Sequence, residues 1–217
     1  MDANQVATYL KSHPEFFEHY AEFLSHIHIP SPHGGRAVSI TERQMGTLRD
    51  KVKQLEAKLA ELIAFGEEND VISAKVHRLA VALIEAADMA GVLRVLHSHL
   101  TGDFAVPRVA VRVWGLDGSG PEFLPVGDDI KAFAAGLRTP YCGLAAGQAA
   151  VGWIGEGASH IRSVAQIPLW EGGEGGACVG LLLLGSEEVQ RFYPEMGTLF
   201  LQRIGDLASA ALLRSAR

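Results

Sequence analysis

From Met45 to Ala87 the chain keeps one alternation of three and four residues: Met45, Leu48, Val52, Leu55, Leu59, Leu62, Gly66, Asn69, Ser73, Val76, Ala80, Leu83 and Ala87. A stripe this narrow on a long helix stays wet until another helix covers it, and a second copy of the chain carries the matching stripe. The spacing predicts a coiled-coil homodimer with Leu48, Val52, Leu55, Leu59 and Leu62 as dimerisation residues. Its filling changes along the way, because Gly66, Asn69 and Ser73 are small or polar where earlier positions are large and aliphatic. Two readings follow. A buried Asn69 can fix register and strand number at some cost in stability. Alternatively the coiled coil ends near Phe65, and a new face of Ile72, Val76, Leu79 and Leu83 packs on a globular domain.

The start of the helix is signalled independently. Ser39-Ile-Thr-Glu42 fits a capping box, in which each side chain satisfies the other residue's amide. Just upstream, IPSPHGGR carries two prolines and two glycines, which cannot continue a helix and read as a linker. Before it, Asp2 with Gln5 caps one short helix, and Ser12-His13-Pro14 starts a second that carries Phe16, Phe17, Tyr20, Phe23 and Leu24. This aromatic hairpin is too short for a core of its own, so its rings are expected on the long helix or on a protein partner.

After Ala87 the pattern becomes mixed. Asp88 caps a helix with the stripe Met89, Val92, Leu93, Leu96 and Leu100, ended by Thr101-Gly102. Val109, Val111 and Val113 alternate with Ala110, Arg112 and Trp114 as a half-buried strand does, and a turn at 116–121 predicts a hairpin to Phe123–Val126. A second hairpin is expected between Ser163–Trp170 and Cys178–Leu184, joined by a glycine-rich turn. Leu181–Leu184 has no polar alternation and should be central. Pro168 cannot donate to a ladder and implies an edge or a bulge. A last helix is expected from near Pro194 to about Leu213, with two apolar faces and hence two neighbours.

Charge and composition narrow the functional classes. The net charge is -6. Residues 38–87 hold seven Lys or Arg against eight Asp or Glu, and residues 88–217 hold ten against thirteen, so no segment has the basic excess that phosphate neutralisation requires. Direct nucleic-acid binding is not expected. No apolar run reaches the ~18 residues of a membrane span and the first residues lack a signal-peptide pattern, so the cytoplasm is expected. Cys142 and Cys178 stand in no zinc spacing and read as reduced thiols. His26-x-His28 and His97-x-His99 resemble metal pairs, but on a helix residues two apart point to different faces, so no metal site is expected. The spacings that mark phosphate-loop, dinucleotide, acyl-transfer and zinc-protease chemistry are missing, and nothing names a cofactor.

Taken together, an antiparallel sheet with flanking helices, fed by a long coiled coil, resembles a GAF domain on a signalling helix. More specifically, Tyr9-Leu-x-x-His13-Pro14-x-Phe16-Phe17, Ile29-Pro-x-Pro-His33-x-Gly35-x-Ala37-Val38-Ser39, Glu42-Arg43-Gln44, Pro140-Tyr-Cys-Gly143, Ser163-Val-Ala-x-Ile-Pro168-Leu and Leu184-Gly-Ser186 with Arg191-Phe192 resemble the bacterial family catalogued as domain of unknown function 484. The resemblance implies an α+β fold: a GAF-like antiparallel sheet with flanking helices, preceded by a helical hairpin and a long coiled-coil helix. The corresponding divisions are 1–37, 38–71 and 72–217. That family has no settled activity; the coiled-coil seam leads to the expectation of a non-enzymatic dimeric signalling or scaffolding protein, with a small ligand of the GAF-like domain as a candidate signal and the coiled coil as the route to a protein partner. The implied protein partner is a site-specific recombinase. A GAF pocket would be walled by residues 127–160 laid over the sheet, which singles out Tyr141, Cys142, Trp153, Ser163 and Gln166, although the same residues could simply fill the core. The alternative is a thiol enzyme of the GAF-like methionine sulfoxide reductase type using Cys142.

Overall fold

The computed structural model describes residues 2–26, 28–29, 38–173 and 175–216. The chain divides into two compact units, Met1–Glu67 and Glu68–Arg217.

The first unit opens with three short helices rather than a two-helix hairpin: α1 (Ala3–Ser12), α2 (Glu15–His19) and α3 (Ala21–His26). The Asp2 amide donates to Gln5 Oε1 at 3.0 Å, the bond expected of the first cap. The second predicted helix breaks at Tyr20, whose dihedrals (φ -113°, ψ 28°) leave the helical basin. Tyr20 stacks on Phe16, with ring centroids 4.7 Å apart, yet Tyr9, Phe17, Tyr20 and Phe23 all remain exposed. A two-residue ladder pairs β1 (His28–Ile29) with β2 (Val38–Ser39). Linker residues 30–36 and the side chains of the Ser39–Glu42 capping box lie outside the described ones. The helix α4 (Ile40–Glu85) nevertheless begins directly after Ser39, where that box places its start. It runs 46 residues through Gly66 without interruption.

The second unit is built on a four-stranded antiparallel sheet of β3 (Arg108–Val113), β4 (Tyr141–Leu144), β5 (Ser163–Trp170) and β6 (Cys178–Ser186), in the order β3-β6-β5-β4. The glycine-rich hairpin is present, with Ile167 opposite Leu182, and Leu181–Leu184 lies buried in the interior strand β6. The hairpin predicted after β3 does not form. Pro121–Phe123 is a 3-10 turn, and β3 pairs instead with β6, Val111 opposite Leu182. Pro121 and Pro125 each lack an amide donor, which disqualifies that stretch as a ladder strand. Pro168 sits beyond the Tyr141–Gln166 pair that ends the β4 ladder, and the register slips between Leu169 and Trp170. Edge and bulge therefore meet there.

One face of the sheet is covered by the end of α4 together with α5 (Met89–Gly102) and α7 (Leu199–Ser215). The other is covered by α6 (Asp128–Gly136) and the 3-10 segment Ala149–His160. Asp88 caps α5 as expected, its carboxylate accepting from the Gly91 amide at 2.7 Å. The last helix starts at Leu199, later than Pro194, because Gly197 and a turn from Tyr193 to Met196 occupy the intervening chain. Its buried residues, among them Leu201, Ile204, Gly205, Ala208 and Leu212, form one broad face against β5 and α5.

The C-terminal end of α4 is tied down by a single side chain. Arg214 of α7 donates to the carbonyl oxygens of Leu83, Ile84 and Ala86 at 2.9, 2.9 and 2.8 Å. These are orphan acceptors of a helix end, and a guanidinium also answers the negative end of the helix dipole. Replacing Arg214 with Ala is expected to lower stability by about 1–2 kcal/mol. Arg214→Lys, which cannot reach three carbonyls with one fork, should recover only part of that in urea unfolding.

Candidate functional site

The residues singled out for a pocket fall on both faces of the sheet. Tyr141 and Gln166 are directly paired, and with Trp153 they join the cluster under α6 and the 3-10 segment. Gln166 is 1% exposed, and its Nε2 donates to Gln148 Oε1 at 2.7 Å. The Gln148 Nε2 in turn donates to the Tyr141 hydroxyl at 3.2 Å. Gln148, which sequence reasoning did not single out, is thus the middle of a polar chain between strand and segment. Trp153 lies against the Arg112 guanidinium, 5.3 Å from the ring centre. The hydrogen-bonding groups of this cluster are spent on one another, and among the described residues no buried side-chain nitrogen or oxygen lacks a partner.

Cys142 and Ser163 sit on the opposite face, because strand side chains alternate and Cys142 follows Tyr141 by one residue. Ser163 Oγ donates to the Glu188 carbonyl at 2.6 Å and accepts from the Phe192 amide at 3.3 Å, so it pins the chain leaving β6. Cys142 is 6% exposed within the helical-face core, whereas Cys178 belongs to the other face. Burial pushes the Cys142 thiol up to about 11 and raises Cys178 as well. A nucleophilic cysteine needs the reverse shift and an approach from solvent. In the native protein at pH 8, Cys142 is expected to react with iodoacetamide roughly two orders of magnitude more slowly than a free thiol. Cys178 should label first, and peptide mass spectrometry over time checks the order.

The side chains of His26 and His28 lie outside the described ones. His97 is exposed, while His99 Nδ1–H donates to Asp103 Oδ2 at 2.7 Å and draws that carboxyl below its ordinary value. Among the described residues no group of three metal-ligating side chains converges.

The residues expected from the sequence to pair two chains lie on an exposed apolar stripe. Leu48, Val52, Leu55, Leu59 and Leu62 are all open to solvent in the single chain, Leu62 by 65%. Farther along the same helix, Val76, Leu79 and Leu83 are buried in the second unit, with Ile72 packed against them. The stripe therefore passes from exposed to buried, and Gly66, Asn69 and Ser73 fall in the changeover.

A family model described as protein of unknown function, DUF484, matches residues 1–215. The chain belongs to the DUF484 family. Among curated proteins, the uncharacterized protein YigA of Salmonella typhimurium is 26% identical over 214 residues, spanning 94% of the DUF484 chain and 88% of YigA. Among solved structures, free methionine-R-sulfoxide reductase from Neisseria meningitidis, in complex with its substrate, matches 66% of this chain and 89% of its own. That match has a TM-score of 0.47 and 15% identity. Among the described residues of this DUF484 protein, no helix is long and apolar enough to cross a membrane.

Proposed function

We infer that this DUF484 protein is a non-enzymatic dimeric signalling or scaffolding protein, in which α4 pairs with its copy and carries the state of the sheet domain to a protein partner. The observation that carries this reading is the exposed stripe from Met45 to Leu62 on a helix whose other end is built into a folded core. Such a stripe presents an apolar seam of about three heptads, the shortest run of apolar core positions that argues a coiled coil. Arg214 and the buried Val76, Leu79 and Leu83 fasten the helix to the domain, so a change of packing there is transmitted along a continuous rod. The exposed rings of Tyr9, Phe17, Tyr20 and Phe23 supply an aromatic surface suited to protein recognition, and a recombinase is the partner the family resemblance implies. Light scattering of the full chain at micromolar concentration tests the reading. A mass of two chains is expected, and a single chain would overturn it.

A thiol-enzyme reading gains no support from the site. Its candidate nucleophile is buried with a raised pKa, and the second cysteine faces the other side of the sheet.

A further inference from the structure

Beside the helical face of the sheet lies a cleft of about 370 Å³, within the range of small-molecule pockets. Its walls are apolar, supplied by Ile72 of α4, Leu100 of α5, Leu184 of β6, Met196, and Ile204 of α7. Two cations also line it, Lys75 and Arg191, and no carboxylate does. Both bear on one residue. Arg191 Nη2 donates to the Phe104 carbonyl at 2.6 Å, and Lys75 Nζ stands 5.9 Å from the centre of the Phe104 ring. Among the described residues neither cation has a carboxylate within salt-bridge reach. Asp103 feels Lys75, but its carboxylate is taken by His99 and lies 3.7 Å from Arg78. The cleft thus combines hydrocarbon walls with two cations that no lining carboxylate pairs, at a half-buried site where opposite charge is screened less than on open surface.

We propose that this cleft binds a small amphipathic carboxylate, with its hydrocarbon body against Ile72, Leu184 and Ile204 and its carboxylate between Lys75 and Arg191. Apolar surface drives the body in, and the paired cations reject a neutral or cationic analogue of the same shape. Ile72 lies one turn before Val76, the first buried position among the described side chains of α4, and three residues after Asn69. Occupancy extends the length of helix held by the domain toward the changeover in the stripe. This names the ligand for the signalling reading above and rests on that reading for its consequence, whereas binding itself does not depend on pairing.

The methionine methyl groups give a direct readout with octanoate as the probe. Met196 lines the cleft, and Met89 lines a separate groove between α5 and the 118–123 loop. In the full chain labelled at methionine methyls, octanoate should shift Met196 saturably and leave Met89 in place, while octanol should bind at least tenfold more weakly. Arg191→Gln and Lys75→Gln should each weaken octanoate binding tenfold or more. If Arg191→Gln lowers stability by releasing Phe104, Lys75→Gln, which loses a ring contact and a minor pull on Asp103 but no hydrogen bond to the Phe104 backbone, still decides the matter. Equal shifts at Met196 and Met89, octanol binding as well as octanoate, or unchanged affinity in both variants would overturn the proposal. A Met196 signal that moves with protein concentration but not with octanoate would assign the cleft to a second copy of the chain and equally overturn it. Light scattering of the same samples reads pairing separately, so failure of the ligand and failure of the dimer are distinguishable.

Discussion

On the pairing proposed for α4, replacing Leu55 and Leu59 with glutamate is expected to leave the protein monomeric at micromolar concentration, weakening association by at least a hundredfold, or about 2.8 kcal/mol. Both side chains are about 60% exposed in the single chain, so the substitutions remove nothing that holds a protomer together. In a pair they occupy facing core positions. There each glutamate loses the burial of a leucine, roughly 1.5–3 kcal/mol, and must also be desolvated beside its own copy. Glutamate is a good helix former, so α4 itself should persist. Gln54→Glu adds one charge of the same sign off the stripe and should leave the mass unchanged. Sedimentation velocity of both variants, with circular dichroism to confirm helix content, checks the result. A doubly substituted chain that stays dimeric would move the interface from α4 to the sheet domain.

How far the sequence revealed this architecture depends on which signal each element carried. Asp88, the apolar run Leu181–Leu184 and the start of α4 after Ser39 were legible because each rests on a local rule: a cap, an absence of alternation, a helix stop followed by a start. The hairpin after β3 was misread because the turn residues at 116–121 were weighed above the two prolines that deny the next segment its donors. The passage of α4 from an exposed stripe to a docked end was visible as a change of filling at Gly66–Ser73, yet choosing between a continued seam and a docked end required the domain's own surface. The pocket residues illustrate a different limit. Tyr141 and Cys142 are neighbours and Ser163 and Gln166 are three apart, so the period of two sends each pair to opposite faces. That much was available from spacing alone. Gln148 was not, because nothing in Ala145-Ala-Gly-Gln-Ala-Ala150 says that its amide bridges Gln166 and Tyr141.

One close-packed seam of the domain is where α7 lies on β5, and Gly205 makes it possible. A Cβ there would meet Ile167 Cγ2 at 2.6 Å and the Pro168 carbonyl at 3.4 Å. Ile167 is itself buried, opposite Leu182, with no room to turn away. Gly205→Ala is therefore expected to destabilise by about 1–3 kcal/mol through overpacking, even though alanine is the better helix former by about 1 kcal/mol. The sign of the effect separates the two causes, because helix propensity alone would stabilise. Gly205→Leu should cost more than Gly205→Ala, since its branches are driven into the sheet. A double-mutant cycle in urea then locates the clash. Ile167→Ala alone should cost about 2–5 kcal/mol as a cavity, but combined with Gly205→Ala the total should fall short of the sum by 0.5–3 kcal/mol, because each change makes room for the other. Strict additivity would mean that α7 does not rest on Ile167. The anchoring of α4 by Arg214, which reaches that helix from the far end of α7, would then need a different foundation.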